Sequence, residues 1–369
     1  VAVIQSVTCA GDVASAIVRQ VTGTVGFFHH QGCCQLPPDL DRVTETLISL
    51  GCSPNVGAAL IVSLGCEGTD TERLYEMIRA TGKPVEIIRI QELGGVSAAI
   101  KAGIDAAQEL VMEISGMQRQ AVDISRVTMS IKCGASDTTS GMASNCVIGY
   151  VADKLVDLGA TVVFGETTEF LGGEHLLARR AVTLEVGQKI LDIVDRMEKR
   201  ARSLGCDMRK GQPTPGNIAG GLSSIEEKSL GAIVKSGTRP IQGVLEYPER
   251  IGERKGLWIK DTPGREPEIL TGMAATGAQF MLFSTGRGAP QGFPTMPVLK
   301  ICGNPNTYER MQHDMDLNAG RIITGERSIE EVGEEAYAAV LALLSGRQTK
   351  NETLGYHSSI DIYTLGPVI

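Results

Sequence analysis

Between Val127 and His175 the chain packs a thiol, several carboxylates, hydroxyls and an imidazole into two glycine-broken polar turns. Proton-transfer and metal-ligand sites are built from these side chains. Cys133, Ser136, Asp137 and Ser140 fall in the first turn; Glu166, Glu169, Glu174 and His175 fall in the second. In the pair Glu174 and His175 the carboxylate could orient the imidazole for acid–base work or metal binding, although a helix start decorated with Glu would read the same way. The glycines at 172 and 173 tilt the balance toward function, because they free backbone amides to meet an anion. Lys228 follows two glutamates on a helical turn, a setting in which a lysine is most often a solvated charge. The run Thr285-Gly286-Arg287-Gly288 could grip a carboxylate through Arg287 or form an ordinary exposed turn. Nearer the start, His30, Cys33 and Cys34 have the types and spacing of ligands to a soft divalent ion, and Cys66 with Glu67 repeats the thiol and carboxylate at another turn. Loop histidines and small buried cysteines are also common without a metal.

These turns need elements to hold them. Residues 127–131 and 161–164 are short β-branched runs that fit buried strands, and each ends in one of the two turns. Loops leaving the carboxyl ends of parallel strands meet in one crevice, so both turns can face a common ligand. Upstream, strands are expected at 1–7, 25–28, 55–64 and 84–90, alternating with helices at 13–22, 69–80 and 96–114 and one opened by Pro37 and Pro38. That βαβα alternation predicts a parallel, doubly wound sheet. Downstream, long helices are expected at 176–204 and 328–344, a shorter one at 225–234, and strands at 256–260, 280–283 and 297–301. The fold class is α/β, with two consecutive α/β domains built on mainly parallel, doubly wound sheets. An N-terminal Rossmann-like domain spans 1–120, a catalytic domain spans 124–369, and polar residues around 115–123 link them.

Composition narrows the function. With 369 residues, 42% hydrophobic and 21% charged, the chain can bury two cores, and no apolar run approaches the roughly 20 residues of a membrane span. A net charge of −8, with no Lys/Arg block, disfavours nucleic acid. Nine scattered cysteines without a C-x-x-C pair point to a reducing cytoplasm and exclude a zinc ribbon. The start lacks a signal-peptide pattern, and the missing initiator Met suggests a trimmed beginning. There is no Walker A loop, no G-x-S-x-G elbow and no G-x-G-x-x-G opening the first helix, which argues against a nucleotide enzyme or an α/β-hydrolase.

As a set, Gly65-Cys66-Glu67, Gln91-Glu92-Leu93-Gly94-Gly95, Lys132-Cys133-Gly134-Ala135-Ser136-Asp137, Gly165-Glu166-Thr167-Thr168-Glu169, Gly173-Glu174-His175, Pro213-Thr214-Pro215-Gly216-Asn217, Glu227-Lys228-Ser229-Leu230-Gly231, Asp261-Thr262-Pro263-Gly264 and Thr285-Gly286-Arg287-Gly288 resemble, in order, the catalytic region of the altronate and galactarate dehydratase family. The resemblance covers essentially the whole chain. It implies β-elimination of water from a sugar acid of the altronate type, giving a 2-keto-3-deoxy acid. The family also includes the large subunit of sulfolactate sulfo-lyase, which expels sulfite instead. A noncatalytic sugar-acid sensor on the same fold is a third reading, against which the retained carboxylates, His175 and Lys228 weigh.

The resemblance further implies a divalent ion, Fe2+ or Mn2+, with His30, Cys66, Glu67, Cys133, Glu166 and His175 as ligands or their neighbours. It implies Glu174, His175 and Lys228 as acid–base groups, Ser136, Asp137 and Asn217 on substrate hydroxyls, and Arg287 on the carboxylate. Two departures stand out. The basic, glycine-containing lead segment and the small N-terminal domain of single-chain members are not present, which resembles a large subunit with a separate small partner in a homo-oligomer. The first loop reads His30-Gln31-Gly32-Cys33-Cys34, with an extra cysteine.

Overall fold

The structure, a computed structural model, describes residues 1–357 and 360–367, so positions 358–359 and 368–369 of the expected second domain lie outside the described residues. Among the described residues eleven strands form two sheets, and every pair of these strands is parallel. β1 (Ala2–Gln5), β2 (Val25–Phe27), β3 (Ala59–Ser63) and β4 (Val85–Arg89) make a four-stranded sheet in the order β2-β1-β3-β4. The second sheet holds β5 (Thr128–Gly134), β6 (Thr161–Phe164), β7 (Ile241–Leu245), β8 (Gly256–Lys260), β9 (Phe280–Thr285), β10 (Val298–Cys302) and β11 (Leu317–Asn318). Its order is β11-β10-β9-β5-β6-β8-β7.

Strands of this kind are buried on both faces, and the apolar residues of one strand divide between two cores. Val162 and Phe164 of β6 pack with Met129, Ile131, Leu257 and Leu282 on one face, while Val163 packs with Met281, Phe283 and Val298 on the other. The second of these cores also takes Ile4, Phe27, Leu47 and Ile61 from the four-stranded sheet and its helix Pro37–Gly51. That helix lies against Glu266–Ala275, so the two sheets share one apolar layer. A third core, around Val3, Leu60, Ile17 and Leu110, covers the outer face of the small sheet.

Each sheet has a place where the connections of two neighbouring strands run off to opposite sides. In the small sheet it lies between β1 and β3; in the large one it lies between β5 and β9. Loops at the carboxyl ends of strands flanking such a point diverge and leave a crevice, where open α/β sheets bind ligands.

Some expected elements differ. The helix expected over 176–204 is two helices, Glu174–Arg179 and Leu184–Ser203. The break serves a sheet: Ala181 bridges to Ile241 at the start of β7, the Arg180 guanidinium reaches Ser236 and the Arg239 carbonyl, and Thr183 caps the second helix. Neither β7 nor β11 is among the expected strands, and β7 opens directly after Pro240, where a turn signal masks a short strand. No helix among the described residues is long and apolar enough to cross a membrane.

Candidate active site

The large sheet's reversal point carries the polar turns. β5 ends at Gly134, and Ala135 takes the left-handed conformation (φ 50°) that swings Ser136 and Asp137 over the sheet edge. One π-helical turn, Ser140–Ser144, then leads into the helix Asn145–Asp157, a local irregularity often found at functional sites. The turn after β9 comes so close that a Cβ on Gly286 would lie 2.0 Å from Asp137 Oδ1. Only glycine admits that approach.

On the next strand, Glu166 follows Phe164 and Gly165 and is itself left-handed (φ 69°), which turns its side chain back over the end of β5. Such a backbone costs on the order of 1 kcal/mol for a residue with a Cβ and persists where its contacts repay it. The contacts are strong. Glu166 Oε1 accepts from Lys132 Nζ at 2.8 Å, and Oε2 accepts from the Cys133 backbone N–H at 2.9 Å and from Lys235 Nζ. Lys132 and Cys133 are consecutive on a strand and point to opposite faces, so this one carboxylate straddles the edge of the sheet.

From Glu166 a row of alternating charges runs both ways. Lys235 Nζ lies 3.3 Å from Glu169 Oε2, and Glu169 Oε1 lies 3.7 Å from Lys228 Nζ. In the other direction Lys132 Nζ reaches Glu266 Oε1 at 3.7 Å. The order is Lys228, Glu169, Lys235, Glu166, Lys132, Glu266, three cations and three carboxylates. Its middle is dry: Lys132, Lys235 and Glu166 are at most 1% exposed, whereas Lys228 and Glu266 at the ends reach 14% and 28%. Cys133 sits in the middle, donating its thiol to Glu169 Oε2 at 2.7 Å and accepting from Lys235 Nζ at 2.9 Å.

Burial penalises charge at these groups, and their neighbours decide the outcome. Burial and the carboxylates of Glu166 and Glu169 push the Cys133 thiol well above its ordinary range. Against burial, Lys235, Lys228 and Lys132 pull Glu169 down to about 2. Against burial, the same carboxylates and Cys133 hold Lys235 well above the usual lysine range, and Glu166 foremost raises Lys132. The row is a set of mutually dependent ions around a neutral thiol.

Lys228 is also where the row meets open space. A cavity of about 290 Å³ is lined by Ser136, Asp137, Ser140, Asn145, Glu227 and Lys228 among others, and Lys228 is the one cation in that lining among the described residues. Its ammonium also donates to Gln212 Oε1 at 2.9 Å.

Asp137 lines the cavity, but Oδ1 accepts from Thr139 and Ser140 and Oδ2 from Asn304. Asn217 is spent on structure, accepting from Thr214 through Oδ1 and donating to the Ser136 carbonyl at 3.0 Å. Arg287 is exposed and donates to the Gly216 carbonyl. Glu174 is half-buried, with Oε1 3.4 Å from Arg209 and Oε2 buried without a hydrogen-bond partner. His175 is exposed on the same short helix.

His30, Cys66 and Glu67 stand at the carboxyl end of the small sheet. His30 is exposed and 3.2 Å from Asp361. Cys66 is exposed and accepts from Gln91 at 3.5 Å, while Glu67 accepts from Ser6 Oγ at 2.5 Å and the Gly65 N–H at 2.7 Å. The buried histidine of that loop is His29, held neutral by burial at a pKa of about 4. The six residues expected as ligands or their neighbours are thus divided between the carboxyl ends of the two sheets and the short helix of His175. Among the described residues only Cys133, Glu166 and Glu169 bring three candidate ligand atoms within 4.8 Å of one another. By spacing alone this trio could hold a metal ion, but the Lys235 ammonium already contacts all three members.

Two groups central to this site, Lys235 and Lys132, are absent from the expected site residues. Lys132 leaves a signal, since a lysine inside an apolar strand must find a buried partner. Lys235 leaves none, because it reads as the solvated end of the helix Ile225–Ile233.

A buried charge cluster at the switch point of a parallel sheet, opening through one lysine onto a polar cavity, is an arrangement suited to holding a small anionic substrate. Comparison with known proteins identifies the family. The family model for the C-terminal region of D-galactarate/altronate dehydratases matches residues 124–368, and that for the second domain of D-galactarate dehydratase/altronate hydrolase matches residues 1–115. The chain belongs to this family and is a lyase. It is 38% identical to the (2R)-sulfolactate sulfo-lyase subunit beta of Chromohalobacter salexigens, over 94% of this chain and 89% of that one. It is 30% identical to the altronate dehydratase of Bacillus subtilis (95% of this chain, 71% of that one). It is 34% identical to the galactarate dehydratase (L-threo-forming) of Escherichia coli (88% and 63%).

Proposed function

We propose that the chain dehydrates a monocarboxylic sugar acid of the altronate type, in the cavity that ends at Lys228. Loss of the proton on the carbon beside the carboxylate, and of the hydroxyl on the next carbon, gives an enol that tautomerises to a 2-keto-3-deoxy acid. The observation that carries the reading is the charge of the cavity. Its lining holds one cation, two carboxylates (Asp137 and Glu227) and several hydroxyl and amide groups. A polyhydroxy acid with a single negative charge matches that lining, whereas a substrate with two would meet repulsion.

Lys228 lies against the substrate carboxylate and neutralises the charge that grows there as the proton leaves. Glu169, with a pKa of about 2, stays ionised at neutral pH and is a poor base. Its part is to hold Lys228 in place. Ser136 and Asn145 meet substrate hydroxyls. Glu174 is the carboxylate proposed for proton transfer, on the strength of its buried, unpartnered oxygen. His175, Asn217 and Arg287 act around the site, Asn217 and Arg287 by shaping its loops. The boundaries 1–120 and 124–369 are the proposed domains. A reducing cytoplasm suits nine free cysteines.

A second reading is sulfite elimination from (2R)-sulfolactate, favoured by the 38% identity to a sulfo-lyase subunit over nearly the full length of both chains. That relative's name as a subunit also supports a separate partner chain. One assay distinguishes the readings: 2-keto acid formation from D-altronate, galactarate and (2R)-sulfolactate in parallel, with sulfite measured separately. Keto acid from altronate without sulfite is expected. Turnover of sulfolactate alone, with sulfite release, would replace the first reading with the second.

A further inference from the structure

Cys133, Glu166 and Glu169 have the chemistry of a metal site, one soft and two hard donors buried together. The space they enclose is not free. An ammonium group carries three donors, and those of Lys235 go to Cys133 Sγ at 2.9 Å, Glu169 Oε2 at 3.3 Å and Glu166 Oε2. A divalent ion bonds thiolate at about 2.3 Å and carboxylate at about 2.0–2.2 Å, so it would need the position that Nζ holds. Two cations cannot share it.

Lys235 also has nowhere to withdraw. Its side chain is 0% exposed, and the turn that carries it, Val234–Ser236, is tied down on each side. Arg180 grips Ser236 at 2.8 Å and the Arg239 carbonyl at 2.9 Å, and Asp153 accepts from the Thr238 N–H at 2.7 Å. A Cβ on Gly149 would lie 2.5 Å from the Val234 carbonyl, so a neighbouring helix closes over the turn. On the far side, Lys132 already neutralises the other oxygen of Glu166.

We infer that Lys235 is the resident cation of the Cys133–Glu166–Glu169 ligand set and that this set binds no divalent metal while Lys235 is in place. The lysine supplies in covalent form the positive charge that a metal would bring, and removing it turns a charge cluster into a metal site. The inference does not rest on the elimination reading, and its test reads metal binding rather than turnover.

The test is an anaerobic Co2+ titration of wild type, Cys133→Ser, Lys235→Met, Lys235→Arg and the Lys235→Met/Cys133→Ser double variant. Thiolate-to-cobalt charge-transfer absorption and metal content after dialysis are the readouts, and cooperative thermal melting checks the fold. Wild type and Cys133→Ser should give superimposable spectra, any cobalt on surface thiols being common to both. Lys235→Met should gain about one further equivalent of cobalt and a new band that disappears in the double variant; Lys235→Arg should behave as wild type. A wild-type band that weakens in Cys133→Ser would overturn the inference, as would a folded Lys235→Met that binds no more cobalt than wild type. If Lys235→Met does not fold, the comparison of wild type with Cys133→Ser decides alone.

Discussion

The carboxyl ends of the two parallel sheets hold similar residue types and treat them in opposite ways. At the small sheet, His30, Cys33, Cys34 and Cys66 are exposed, and Glu67 is half-buried among neutral donors. The Sγ atoms of Cys33 and Cys34 are 3.7 Å apart, and against burial the hydroxyls of Ser6 and Ser63 pull Glu67 below its ordinary range. At the large sheet, Cys133, Glu166 and Glu169 are buried and interlocked with three lysines. A thiol or carboxylate acquires unusual chemistry through dehydration and the charges placed beside it. The small sheet's loops leave their groups in solvent. The large sheet's loops do not, because the Val234–Ser236 turn roofs the end of β5 and brings Lys235 down onto it.

Variants at the two ends should part company. The largest effect is expected for Glu166→Ala, which leaves Lys132 and Lys235 buried without their shared partner. A loss of about 3–5 kcal/mol of stability is expected, read as a lower urea midpoint, and a loss under about 1 kcal/mol would mean that the row is not the interlocked unit described. Acid should act on the same end. Glu169 has a depressed pKa in the folded protein, so its contribution is present above its ordinary value of 4.5 and is lost as pH falls toward about 2. The loss is on the order of 3 kcal/mol, and Glu169→Gln should make the urea midpoint less sensitive to pH across that window.

Smaller in free energy but sharper for function, Lys228→Met should lower turnover at least about a hundredfold while changing stability by no more than about 1 kcal/mol. Equal loss of stability and turnover would reduce Lys228 to a structural ion. At the exposed end, His30→Ala and Cys66→Ala should each change stability by less than about 0.5 kcal/mol. His175→Ala, exposed on its short helix, should likewise keep the fold and most of the turnover. Abolished product in that variant would restore the imidazole to the catalytic centre that its spacing suggested.

Much of the scaffold was legible in the chain. Buried parallel strands are continuous apolar runs, so β3, β6, β9 and β10 announce themselves, and the polar turns behind them mark the crevice. β7 and the break at 180–183 did not, because β7 is a short edge strand made by its pairing with β8 and the break is pinned by β7's first residue. Within the site the sequence brought forward Cys133, Glu166, Ser136, Asp137 and Lys228, which the fold places on one cluster and its cavity. It equally promoted His30, Cys66 and His175, whose residue types are as suggestive and whose surroundings are wet.

By itself, then, the sequence determined the parallel α/β layering, the family and the loops that carry reactive groups, because local periodicity and motif spacing are properties of neighbours along the chain. Only the tertiary structure decided that Lys235, a lysine 69 residues from Glu166, enters the Cys133–Glu166–Glu169 set as its cation. Burial and charge pairing are set by what the folded chain brings together from afar, and no local pattern records them.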